Sequence, residues 1–163
     1  MSQRLQSIFF FVAAILFALL FFLPLAEYLG EINILRFNAY GVESLLPDGV
    51  VPFGKWYALP VLVLTVTALL LSGYLAFGLH KAIKISDFVT LHRIARIDLV
   101  VIVAWIALVF TYYIRAVGMS INVTQPEYKI GAFLPLAALI FVLLGATGLR
   151  KDIKKVRSTD RLR

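Results

Sequence analysis

The side chains able to do chemistry in this 163-residue chain are few and widely scattered. His80 and His92 are its two histidines, and Asp87 is the one acid between them. Two imidazoles and a carboxylate can in principle hold a metal. Here no pair has the i, i+4 spacing that would place two ligands on one helical face. With no cysteine, thiolate metal centres, disulfides and Cys nucleophiles are excluded together. Apart from Ser86, Thr90, Ser158 and Thr159, the serines and threonines have no histidine base on the same side, so nucleophilic hydrolysis is unsupported, and neither a P-loop nor a GxGxxG run occurs. The reading is therefore of no enzyme, no catalytic residue, no cofactor and no metal site. Asp98 and Arg115 remain as ionisable residues near apolar stretches, where charge is costly. Asp98 has no basic residue at i±3 or i±4, so a partner must come from another segment, with Arg150 as one choice. It reads as an interfacial polar contact. A proton relay would need further acids within the apolar stretches, and the sequence has none.

The densest chemistry is basic. Residues 150–163 carry Arg150, Lys151, Lys154, Lys155, Arg157, Arg161 and Arg163 against Asp152 and Asp160. On a helix, Leu149, Ile153 and Val156 share one face while most cations point elsewhere, the pattern of a segment lying on an anionic leaflet. His92, Arg93 and Arg96 could add a headgroup pocket. Anionic lipid headgroups are thus the expected partners, with a membrane-protein partner or a homo-oligomer also open. Nucleic acid is not expected, because retention of positive charge on one side of a membrane already accounts for the net charge of +7.

What must position these groups is an apolar scaffold. The chain is 61% hydrophobic, well above ordinary soluble usage. Four stretches, about 8–25, 56–79, 97–117 and 131–149, approach the roughly 20 residues a helix needs to cross ~30 Å of hydrocarbon. Helix is the state that satisfies the backbone there. The expectation is an all-α four-transmembrane-helix bundle forming one integral membrane domain over 1–163, with 150–163 as a basic cytosolic tail. The first stretch also resembles a secretory signal, but it is long for one and Pro24-Leu25-Ala26 is a poor cleavage site. Twelve basic residues (Arg4, Lys81, Lys84, Arg93, Arg96 and the seven of the tail) fall on one side. Arg36, Lys55, Arg115 and Lys129 fall on the other with Glu27, Glu31, Glu43, Asp48 and Glu127. Both termini are thereby placed in the cytosol. Trp56, Tyr57, Tyr112 and Tyr113 fall near the outer helix ends, where amphipathic rings favour the interface.

The outer loops have strand character. Ile32, Ile34, Phe37 and Tyr40 partly alternate before the Pro47-Asp48-Gly49 turn, Val50-Val51-Pro52-Phe53 offers a return strand, and Met119, Ile121 and Val123 alternate in the second loop. A small extracytoplasmic β-sheet and two irregular interfacial loops both fit. Asn122-Val123-Thr124 matches a glycosylation sequon, incidental in a bacterial protein. Small residues mark where helices can approach closely: Ala68, Ser72 and Ala76 with Gly73 beside them, Ala14 with Ala18, and Gly145 with Gly148. These stripes serve contacts within the bundle or between copies.

The opening Met1-Ser2-Gln3-Arg4-Leu5-Gln6-Ser7-Ile8, together with Arg150-Lys151-Asp152 and Val156 to Arg163 at the close, resembles domain-of-unknown-function family 4293. These are small four-span proteins of one group of Gram-negative bacteria. The resemblance covers essentially the whole chain and implies four spans and inner-membrane placement. It brings no activity, ligand or site residue. The functional expectation is a non-enzymatic accessory subunit or scaffold of a membrane complex. The alternative is a small lipid or hydrophobic-molecule binding or transport protein.

Overall fold

The computed structural model describes residues 3–30, 33–47, 49–54, 56–82, 85–123 and 125–160, without the side chains of 3, 85 and 156–160. Glu31, Ile32, Asp48, Lys55, Lys84, Thr124, Arg161, Leu162 and Arg163, and the side chains of Val156, Arg157, Ser158, Thr159 and Asp160, lie outside the described residues.

The elements run α1 (Gln3–Leu19), β1 (Ala26–Leu29), β2 (Ile34–Asn38), β3 (Gly41–Ser44), α2 (Leu59–Lys81), α3 (Ile85–Leu108), a π-helical turn (Val109–Tyr113), α4 (Ile114–Ser120), β4 (Glu127–Tyr128) and α5 (Ile130–Asp160). Helix α1 packs against α2 and α5, and α3 packs against the same two, so four helical rods close a ring. Three of them, Leu59–Lys81, Ser86–Ser120 and Ile130–Lys155, are long and apolar enough to cross a membrane. The first rod is shorter than the expected 8–25 stretch. Its α-helix ends at Leu19, and turns carry the chain from there into β1.

One repeat governs α2 and α3. The buried residues of α2 include Val61, Thr65, Ala68, Ser72, Leu75 and Leu79. Those of the next rod are Phe88, Leu91, Ala95, Asp98, Ile102, Trp105 and Val109. Both follow the alternating 3-4 spacing that keeps a seam facing its neighbour along two antiparallel helices. Continued as α-helix, that spacing would bring Tyr112 inward. The π turn inserts its extra residue there, so Tyr113 is 4% exposed and Tyr112 56%. Tyr112 and Tyr113, alike in sequence, therefore part company, one turned outward and one sealed beneath the sheet.

The four strands form one antiparallel sheet in the order β3-β2-β1-β4. Ala26, Tyr28, Leu35 and Phe37 alternate onto its buried face, while Glu27 and Arg36 take the opposite one. Phe37 stacks on Tyr113 at 5.8 Å, and the Tyr28 hydroxyl donates to the Ile114 carbonyl at 2.9 Å. Two strand expectations are corrected. Val50 to Phe53 forms no strand, because β2 already returns as β3 through Ala39-Tyr40, ahead of the Pro47 turn. Met119 to Val123 closes α4 and turns, and β1 takes Glu127-Tyr128 as its edge partner instead.

The expected start of the third span at 97 is also too late. The helix begins at Ile85, placing Asp98 roughly 20 Å along the rod at 1.5 Å per residue. The basic tail continues directly from the fourth expected span as helix. Helix α5 runs unbroken to Asp160, with Leu149 buried and Ile153 partly buried against the core. Leu149 and Ile153 of that face are thus turned to the bundle.

Candidate functional site

Several buried polar side chains pair across the ring, although Asp98 Oδ1 and Gln6 Oε1 are left without a partner. Between α2 and α3, the Ser72 hydroxyl donates to Asp98 Oδ2 at 2.6 Å. One heptad away, the Trp105 indole donates to Thr65 Oγ1 at 2.8 Å, and that hydroxyl donates to the Val61 carbonyl at 2.7 Å. Asp98, Ser72, Thr65 and Trp105 are all 0% exposed. Asp98 thus makes a structural polar contact inside the ring, and its partner is Ser72 rather than the start of the tail. Where water is excluded an unpaired donor or acceptor costs several kcal/mol, which explains why these groups meet in pairs across one helix interface. The equal seven-residue spacings 65–72 and 98–105 are the signal in the sequence that could have matched them.

Against α1 the contacts are close. The Ser7 hydroxyl donates to the Ala76 carbonyl at 2.7 Å, within the Ala68–Ser72–Ala76 stripe. A Cβ at Gly145 would stand 2.7 Å from the Phe10 ring, and one at Gly148 would stand 2.9 Å from the Gln6 amide. Both glycines therefore face α1 within the same chain. Gln6 donates to Asp152 at 2.5 Å, tying the start of α1 to the far end of α5.

His92 lies between α3 and α5. It hydrogen-bonds to the Ala146 carbonyl, with the Arg96 and Arg150 guanidiniums nearby. Arg93 and Arg96 are exposed one turn apart above Ile97 and Val100, where they line a shallow groove of about 330 Å³. Arg150, Lys151, Lys154 and Lys155 are exposed along α5. The helix ends thus bring His92, Arg93, Arg96 and the start of the tail to one end of the ring. Lys154 and Lys155 lie further along the projecting helix. No group of three His, Asp or Glu side chains that could hold a metal occurs among the described residues.

The opposite end carries the sheet, and the charges along its strands are closed. Glu43, Arg36, Glu27 and Glu127 form one cross-strand row through all four strands. Arg36 reaches Glu27 at 2.8 Å, and the Lys129 ammonium bridges Glu27 at 2.9 Å and Glu127 at 3.0 Å. Glu27 and Glu127, directly opposite, would repel without it. The Lys129 hydrogen bond, with the Arg36 contact behind it, holds the Glu27 carboxyl below its usual range against the opposing effect of burial. Burial pushes the Tyr28 phenol up, and pushes Tyr57 to about 12. Beside this sheet a groove of about 810 Å³ opens between α4 and the 121–128 segment. Phe110, Ile114, Arg115, Met119, Asn122 and Tyr128 are among the residues that line it.

A ring of apolar helices with internally paired polar groups and a sheet over one end defines the class: an α-helical protein whose rods suit a membrane. The chain belongs to a family described as a domain of unknown function (DUF4293), whose model matches residues 2–162. Neither a curated protein nor a solved structure gave a significant match.

Proposed function

We propose that this chain is a non-enzymatic membrane scaffold or accessory subunit of the bacterial inner membrane. In this reading it crosses the bilayer four times, with the tail end in the cytosol and the sheet outside. The observation that supports it is the pairing of buried polar groups between rods: Ser72 with Asp98, Thr65 with Trp105, Ser7 with Ala76. Transport or catalysis would call for polar groups converging on a space between the rods. Among the described residues, grooves of 810, 380 and 330 Å³ open at helix ends or on the outer surface instead. As a fourth span, α1 has 17 residues, about 26 Å of helix, and rests against both α2 and α5. The basic helix ends at the tail end support the cytosolic assignment.

The chain has no cysteine, so single introduced thiols report each side. Ser44→Cys should react with an impermeant maleimide added outside intact cells, and Lys154→Cys only after permeabilisation. The reverse pattern would overturn the topology. Purification of tagged protein in mild detergent should recover a stoichiometric partner, whereas a monodisperse lone protein would count heavily against a scaffold. A second reading, as a lipid-binding protein, rests on the Arg93–Arg96 pair set above the Ile97–Val100 surface. Copurified anionic lipid that is lost with both arginines would favour it.

A further inference from the structure

We propose that the groove beside the sheet is a binding site for one anionic amphiphile, a lipid whose phosphate is held by Arg115 and whose chain lies along Phe110 and Met119. Charge is the first argument. Arg36 and Lys129, the other described cations at this end, are both closed on carboxylates. Arg115 has no acidic partner among the described residues, and it lines the groove. An exposed guanidinium beside apolar surface presents two parallel donors suited to phosphate oxygens.

The walls are the second argument, because they come from three elements held together. Tyr128 of β4 stacks on Phe110 of the π turn at 5.9 Å, closing one side. The segment after α4 folds back through Asn122, whose φ of 55° is the left-handed conformation that Asn tolerates. Val123 then bonds the Gly118 carbonyl at 3.0 Å. A Cβ on Gly118 would lie 2.7 Å from the Val123 oxygen, so this fold-back needs glycine. At about 810 Å³ the space is in the usual range of ligand sites. One cation and the Asn122 amide beside Phe110, Ile114, Met119 and Tyr128 match a polar headgroup with a chain better than a small polar anion. The site is separate from the scaffold reading and from the Arg93–Arg96 surface.

Native mass spectrometry of the detergent-purified protein tests it, using phosphatidylglycerol, phosphatidylcholine and inorganic phosphate as probes. The wild type should retain phosphatidylglycerol over phosphatidylcholine. Arg115→Gln should lower that retention by about tenfold, the effect of losing one charge-assisted pair. Arg115→Lys should recover part of it. Met119→Trp, which fills the groove while leaving the cation, should lower it as well. Arg4→Gln removes the same charge at the other end and should not. Equal losses in Arg115→Gln and Arg4→Gln would overturn the site. So would unchanged retention in Arg115→Gln whose melting temperature matches the wild type. Stabilisation by inorganic phosphate equal to that by phosphatidylglycerol would overturn the amphiphile assignment.

Discussion

The two ends of the helix ring use charge in opposite ways. At the sheet end Arg36, Lys129, Glu27 and Glu127 neutralise one another across neighbouring strands. At the tail end Arg93, Arg96, Arg150, Lys151 and Lys154 project outward. Closed pairs fix geometry, and projecting cations hold a field that an anionic surface can answer. The difference separates an end whose charges close on one another from an end whose cations point outward, and substitutions at either end can break it.

The largest effect belongs to the sheet end. Phe37→Ala removes a ring that is 0% exposed and stacked on Tyr113. It should destabilise the protein by about 3–5 kcal/mol, measured by unfolding in detergent. A loss under about 1 kcal/mol would mean that the sheet merely rests on the bundle. Next comes the tail half, where firmness lies inside the ring. Gly145→Leu drives a side chain into the Phe10 ring and should cost about 1–3 kcal/mol. Wild-type stability in that variant would show the α1–α5 contact to be looser than drawn. Smaller again, Lys154→Gln should leave unfolding unchanged while weakening attraction to anionic lipid by about 1 kcal/mol. Displacement of a fluorescent anionic lipid in nanodiscs reads it. A change in melting temperature without a change in lipid affinity would reverse the roles given to the two ends.

Much of this division is legible in the sequence, and the rest is hidden for identifiable reasons. Apolar runs mark the rods because a bilayer-sized helix leaves an unmistakable composition. The 3-4 rhythm of α3 is present too, yet it cannot announce the π turn that exchanges Tyr112 for Tyr113, since both are aromatic. Asp98 appears partnerless when only its own helix is searched, and Ser72 reads only as a small residue in a stripe. Their pairing is a fact of antiparallel register. The sheet is half legible: Phe37 and its alternation are there, but Pro47-Asp48-Gly49 is a stronger turn signal than Ala39-Tyr40, where the hairpin closes. The basic tail is plain in composition. Its continuation of the fourth helix is legible too, from Leu149, Ile153 and Val156 sharing one helical face.

The finest test of the comparison is the pH response of the closed row. Glu27 is held below its ordinary value of 4.5, mainly by Lys129, so its unfolded form binds a proton first as pH falls. Its contribution is complete above the unfolded value and is lost as pH drops through the folded one. Lys129 is raised above 10.5 by the same contact, so its contribution is complete below that value and fades as pH rises through the folded one. The sheet end should accordingly be most stable on a plateau between roughly pH 5 and pH 10. The Glu27 side chain is 16% exposed and its partners 34–37%, so solvent screening limits the gain from Glu27 to about 1 kcal/mol or less. Amide exchange at β1 and β2 should show the acid limb, and Glu27→Gln should flatten it. An acid limb of the same size in Glu27→Gln would mean that other carboxylates set it, and that the row is closed in geometry but not in energy.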